Sequence, residues 1–65
     1  MYALHVFHPG EDTPREVERL TRAADVLSRI PLLLVEHHGC EKVAVFFHTT
    51  LLFSVDCQGN TQPGS

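Results

Sequence analysis

The first hydrophobic pattern along the chain is an alternation. In "YALHVFH", residues 2 to 8, Tyr2, Leu4, Val6 and His8 point one way while Ala3, His5 and Phe7 point the other, which predicts a strand. Pro9 and Gly10 end it. The spacing then changes. Val17, Leu20, Ala23, Ala24 and Leu27, with Ile30 at the edge, share one face at helical spacing, so residues 14–30 predict an amphipathic helix. Thr13 as N-cap, Pro14 at the first helical position and Glu16 three residues after the cap form a capping box. Glu11, Asp12 and Glu16 also suit the positive end of a helix dipole. Pro31 is expected to stop the helix. Beyond it, "LLLVEH", "KVAVFFH" and "LLFSVDC" read as three strands, joined by "HGCE" and by a tight link at Thr49 and Thr50. Links this short predict antiparallel neighbours.

The elements together predict one α+β domain over residues 1–58, in the order β-α-β-β-β: one amphipathic helix packed on a four-stranded, mainly antiparallel sheet. Residues 59–65 predict a flexible polar tail, and Gly64 and Ser65 are compatible with a cloning scar. The strand "KVAVFFH" does not fit a sheet with one solvated face. Val43, Val45 and Phe47 oppose Ala44, Phe46 and His48, so it is apolar on both sides. Something is expected to cover the second face, either a homodimer packed sheet to sheet or a different protein.

Size sharpens that expectation. A chain of 65 residues buries only about 60% of the surface its unfolded form exposes, and it gains from a partner, a metal or a second copy. Its hydrophobic fraction of 43%, without Trp, makes it globular with a core of aliphatic residues and Phe. No apolar run is long enough to span a bilayer and "MYALHVFHPG" lacks the basic start of a leader, so the protein is expected to be cytoplasmic and to leave membranes alone. Two cysteines, Cys40 and Cys57, are too few for a disulfide scaffold and are expected to be free thiols in a reducing compartment.

"LVEHHGCEKVAVFFH", residues 34 to 48, holds the densest candidate chemistry. His37 and His38 are neighbours, and on a strand neighbours point to opposite faces, so they do not share one metal. Zinc takes four ligands, normally in paired spacings, and His37-x-x-Cys40 is a single pair with His48 and Cys57 as possible completions. A hairpin turn at Thr49-Thr50 would set Lys42 opposite Cys57 and bring Cys40 to the same end of the sheet, which leaves a site of Cys40, Cys57 and His38, or a strained disulfide, open. A polar hairpin tip with two ordinary thiols is the simpler reading, and no metal or cofactor is expected. Ser54, His48 and Asp56 have the residue types of a hydrolytic triad, but that register puts Ser54 and Asp56 on one face and His48 on the other. With no phosphate loop and no nucleophile elbow, an enzyme is not expected.

Charge is unevenly distributed within a net −3. Residues 14–30 net +1, from Arg15, Arg19, Arg22 and Arg29 against Glu16, Glu18 and Asp25; the rest nets −4, from Glu11, Asp12, Glu36, Glu41 and Asp56 against Lys42. On a helix the arginines would form a stripe, either solvated and locally paired or suited to docking carboxylate or phosphate. The acidic residues either confer solubility or present carboxylates where a partner expects the phosphates of nucleic acid.

In its whole-chain character, from "MYALHVFHPGEDTPREVERL" to "LLFSVDCQGN", this small acidic α+β sequence resembles the inhibitors encoded by phages and mobile elements, notably the anti-CRISPR proteins. That group shares no fold or motif, so the resemblance assigns no residue. It implies a non-enzymatic inhibitor that blocks target DNA binding by a CRISPR effector complex, with a DNA-binding subunit as the protein partner. The expected contact residues, taken from the charge pattern, are Glu11, Asp12, Glu36, Glu41 and Asp56, followed by Arg15, Arg19 and Arg22. The alternative is a dimeric nucleic-acid-binding regulator that uses the arginine stripe.

Overall fold

A computed structural model describes residues 1–63 of the chain. The architecture is α+β, one helix against a five-stranded antiparallel sheet. In chain order the elements are β1 (Tyr2–Phe7), β2 (Glu16–Leu20), α1 (Ala23–Glu36), β3 (Lys42–Phe47), β4 (Thr50–Asp56) and β5 (Thr61–Pro63). The sheet order is β2-β1-β3-β4-β5, with β3 at the centre between β1 and β4.

The strand at "YALHVF" lies where the alternation puts it, but the helix does not span residues 14–30. Glu16–Leu20 forms β2, antiparallel to β1 with Val6 opposite Glu16 and Tyr2 opposite Leu20. The capping box is not used as one. Arg15 donates its backbone N–H to the Val6 carbonyl at 2.8 Å, so the chain is already paired as a hairpin at the point where a helix would begin. "EVERL" also alternates, and occupying the free edge of a central strand satisfies more backbone groups than an isolated helical turn would. Thus the local helix signal loses to tertiary pairing.

The helix starts at Ala23 and runs through Pro31 to Glu36, so Pro31 does not stop it and "LLLVE" is helical. An interior proline removes one helical hydrogen bond and costs about 3 kcal/mol. Burial of Leu33, which has no exposed surface, offsets that cost, at about 1.5–3 kcal/mol for a fully buried Leu side chain. Val26, Ile30 and Leu33 recur at helical spacing and form the buried stripe of α1. They pack on Leu4 and Val6 of β1, Val43 and Val45 of β3, and Val55 of β4.

The β3–β4 turn falls at His48 and Thr49, one residue earlier than the expected Thr49-Thr50 link. His48 adopts φ 56°, the left-handed backbone that tight hairpins require. That turn alone would set Lys42 opposite Val55, but a bulge shifts the register by one residue between Phe46, opposite Leu51, and Val45, opposite Phe53, so Lys42 pairs with Asp56 and not with Cys57. The polar tail is partly built into the sheet, since Thr61–Pro63 pairs with β4 as an edge strand. Gly64 and Ser65, read as a cloning scar, lie outside the described residues.

The face of the sheet away from α1 carries no second layer among the described residues. Ala3, His5 and Phe7 of β1 lie there beside Ala44 and Phe46 of β3, with the His5 and Phe46 rings 4.6 Å apart and Lys42 Nζ 5.3 Å from the centre of the Phe7 ring. The apolar character of both faces of β3 thus survives in the folded chain, with the outer face partly covered by its own aromatic rings.

Candidate partner-binding surface

Strand register collects the acidic residues. Phe7, Lys42 and Asp56 form a row across the ends of β1, β3 and β4, and Glu16 pairs with Val6 beside it. The 8–15 loop brings Glu11, Asp12 and Arg15 to that same end, and Glu41 is tied to it by its N–H to the Phe7 carbonyl at 2.8 Å. The C-terminus of α1 arrives there too, with Glu36 in a last turn that contains no basic residue, so the negative end of the helix dipole adds to the carboxylates. Glu11, Asp12, Glu36, Glu41 and Asp56 therefore share one end of the molecule.

Their side chains differ in what they already hold. Arg15 pairs with Glu11, and this hydrogen bond holds the Glu11 carboxyl below its ordinary range. Arg29 Nη1 binds Glu36 at 2.8 Å and lowers the Glu36 pKa in the same way. Asp56 is an anchor for its own loop, accepting the backbone N–H groups of Asn60 and Gln58 at 2.9 Å each and the Asn60 side-chain amide at 3.1 Å; the Asn60 backbone contact leads in lowering its pKa. Among the described residues, Asp12, Glu41 and Asp56 have no ion-pair partner, and of the three Asp56 is engaged by the neutral donors of its own loop. Asp12 and Glu41 are the carboxylates held by neither an ion pair nor a side-chain hydrogen bond.

The arginine stripe does not form, because it needs a helix over 14–30. Arg15 lies in the loop with Glu11, Arg19 on β2 opposite Ala3, and Arg22 caps α1 and pairs with Asp25 at 3.3 Å. Arg19 and Arg22 sit at the end opposite the carboxylates, and Arg19 faces the open side of the sheet. There burial, then the Arg19 charge, lowers the pKa of His5.

A surface that the sequence reading missed runs along the outside of α1. Leu27, Leu32 and Val35 are 65%, 55% and 77% exposed, so one side of this short helix presents aliphatic side chains outward. Pro31 is exposed between them, and the patch leads into Glu36 at the acidic end. Four consecutive apolar residues, Leu32 to Val35, carried the signal. On a helix such a run must turn apolar side chains outward, whereas on a strand it could be buried between layers.

The histidines separate. His37 is turned inward, its Nε2 2.9 Å from Glu16 Oε1 and its Nδ1 3.1 Å from His8 Nε2, while His38 is exposed. In the neutral form His37 Nε2–H donates to Glu16 and Nδ1 accepts from His8. Cys40 and Cys57 come together, with their sulfurs 2.7 Å apart, but no three His, Cys, Asp or Glu side chains among the described residues converge as metal ligands. His48 lies in the turn at the far end of β4 from Asp56, so the triad residues are dispersed. No pocket opens among the described residues, and no helix there is long and apolar enough to cross a membrane.

Compared with models of known protein families, with curated proteins and with solved structures, the chain has no match.

Proposed function

We propose that this protein is a small, non-enzymatic inhibitor that works inside the cell by covering a surface of another protein, in the manner of an anti-CRISPR protein that blocks target DNA binding by a CRISPR effector complex. The observation that carries the reading is the continuity between the exposed apolar side of α1, through Leu27, Leu32 and Val35, and the acidic end with Asp12 and Glu41. Apolar area supplies affinity, and carboxylates steer the protein toward a basic, nucleic-acid-binding partner surface. Glu11 and Glu36, paired with arginines, and Asp56, hydrogen-bonded to its own loop, hold the shape of that end more than they contact a partner. The test is capture: tagged protein is mixed with a panel of purified CRISPR effector complexes, and stoichiometric retention of one subunit at moderate salt is the expected result. If no effector is retained even at low salt, the reading is wrong.

A second reading, nucleic-acid binding, is favoured by one observation. His5, Phe7 and Phe46 lie on the open face of the sheet, and Arg19 and Lys42 border them. Aromatic rings flanked by cations can stack exposed bases and hold phosphates. This reading requires a mobility shift of single-stranded DNA or RNA that weakens steeply with salt. Absence of a shift at low salt removes it.

A further inference from the structure

Cys40 and Cys57 take no part in the surface described above, and their arrangement is specific. Cys40 ends the turn after α1 and is buried; Cys57 follows β4 and is partly exposed. Their sulfurs are 2.7 Å apart across 17 positions of chain, and Cys57 Sγ lies 3.9 Å from the His37 carbonyl. Both backbones are anchored. Cys40 donates its N–H to the His37 carbonyl at 2.9 Å, Glu41 donates to Phe7 at 2.8 Å, and Asp56 is fixed by Asn60 and Gln58. The thiols are therefore held together by the fold and not by the chance placement of two loops. A disulfide has an S–S length of about 2.05 Å, so bonding needs the sulfurs to close by less than about 1 Å.

We propose that Cys40 and Cys57 form a redox-active dithiol that closes into an intramolecular disulfide by exchange with a small disulfide of the glutathione class. The Cys57 thiolate, at the solvent side, attacks one sulfur of the small disulfide; the S–S bond breaks, a small thiolate leaves, and Cys57 carries a mixed disulfide. Cys40 then gives up its proton and attacks Cys57 Sγ, expelling the second small thiolate. The two protein thiols lose two electrons and two protons in total, the small disulfide gains the electrons, and the two leaving thiolates take up protons. Cys57 is the more accessible of the two and takes the first step, while burial, reinforced by the neighbouring Cys57 thiol, raises the Cys40 pKa and favours its attack only once a mixed disulfide is held beside it. The bond would tie the turn after α1 to the open end of the β3–β4 hairpin. Intracellular disulfides are typically transient and sensing, and a partly exposed pair such as this one suits that use.

The test is equilibration of the reduced protein in glutathione buffers of increasing oxidised fraction, followed by acid quench, alkylation and intact mass. The expected product is a monomer lighter by two hydrogens in which both thiols have lost their alkylation, reversible with dithiothreitol. Cys40→Ser is expected to trap a glutathione adduct at Cys57, and Cys57→Ser to leave Cys40 nearly unmodified; circular dichroism establishes that both variants are folded. The proposal is overturned if both thiols of the wild-type protein remain alkylated in the most oxidising buffer, if the stable product is a glutathione adduct, or if the disulfide forms only between two chains.

Discussion

Arg29 Nε on α1 reaches both carboxylate oxygens of Glu18 on β2, at 2.7 and 2.9 Å. The same guanidinium holds Glu36 through Nη1 and Nη2, at 2.8 and 3.3 Å. One side chain thus ties the edge strand, the middle of the helix and its C-terminal turn, and both carboxylates raise the Arg29 pKa. Arg29→Met keeps most of the apolar stem and removes all of these contacts. It is expected to lower the thermal midpoint by a few degrees, and Glu18→Gln in the Arg29→Met background should add little, since both act on one interaction. Additive losses in a double-mutant cycle would show that the pair is not coupled.

Helical geometry from Leu32 to Val35 is tested by unequal costs. Leu33 is fully buried, and Leu33→Ala should cost about 2–5 kcal/mol. A domain of 65 residues has a total stability of roughly 3–10 kcal/mol, so this variant should lose a large share of it and show a much lower urea midpoint. Leu27→Ala and Val35→Ala, on the exposed side, should stay within about 0.5 kcal/mol. On a strand Leu33 and Val35 would share a face and cost alike. Urea denaturation followed by circular dichroism separates the two arrangements.

Pro31 interrupts the hydrogen-bond ladder of α1 at an exposed position. Pro31→Ala restores the N–H that can bond the Leu27 carbonyl, and it is expected to stabilise the protein by about 1–3 kcal/mol, less whatever the unfolded chain gains in freedom. A lower urea midpoint than wild type would contradict this helix assignment.

Stability should fall with acid in two stages. Burial, then Arg19, lowers the His5 pKa from 6.5, so the unfolded chain takes up the proton first; the His5 contribution is complete above 6.5 and is lost as pH falls through the lower folded value. Glu11 and Glu36 are lowered from 4.5, and Asp56 from 3.8, so their contributions are complete above those values and are lost below them. His5→Phe should remove the upper stage and leave the lower one. Thermal midpoints taken between pH 7 and pH 3 give both.

Much of the architecture was legible in the chain because β1 and β3 carry patterns with one good solution. Leu4 and Val6 must share a face, and Val43 to Phe47 has the β-branched and aromatic content of a central strand. Residues 13 to 36 were not legible in the same way. "TPREVERL" satisfies the rules for a helix start and also those for an alternating edge strand, and only the free edge of β1 decides between them. Pro31 was given the force of a stop, although the burial of Ile30 and Leu33 on either side carries the helix through it. The candidate surface followed the same division. The charge pattern names the acidic residues but not their gathering at one end, which follows from the observed ends of strands and helix, and the apolar outer side of α1 became visible once "LLLV" was known to be helical. The pairing of Cys40 with Cys57 at one end of the sheet was readable from the hairpin, even with the turn misplaced by a residue, because both flank it.

The proposed inhibition depends on two kinds of contact that can be removed separately without touching the core. Val35→Asp disrupts the apolar side, and Asp12→Lys with Glu41→Lys reverses the unpaired charges. Val35→Asp should raise the dissociation rate of a captured effector by tenfold or more, on the order of the 1.4 kcal/mol that a hot-spot contact exceeds. The charge reversals should act mainly by slowing association, and that effect should shrink as salt is raised.

The decisive measurement is displacement of labelled target DNA from the effector complex that the protein captures, followed by fluorescence anisotropy as wild-type protein, Val35→Asp and the Asp12→Lys, Glu41→Lys variant are titrated in turn. Complete displacement by wild type near one equivalent, with both variants folded and displaced to higher concentrations, is the expected result. An effector that captures the protein yet holds its target DNA unchanged at large excess would contradict inhibition at the DNA-binding surface.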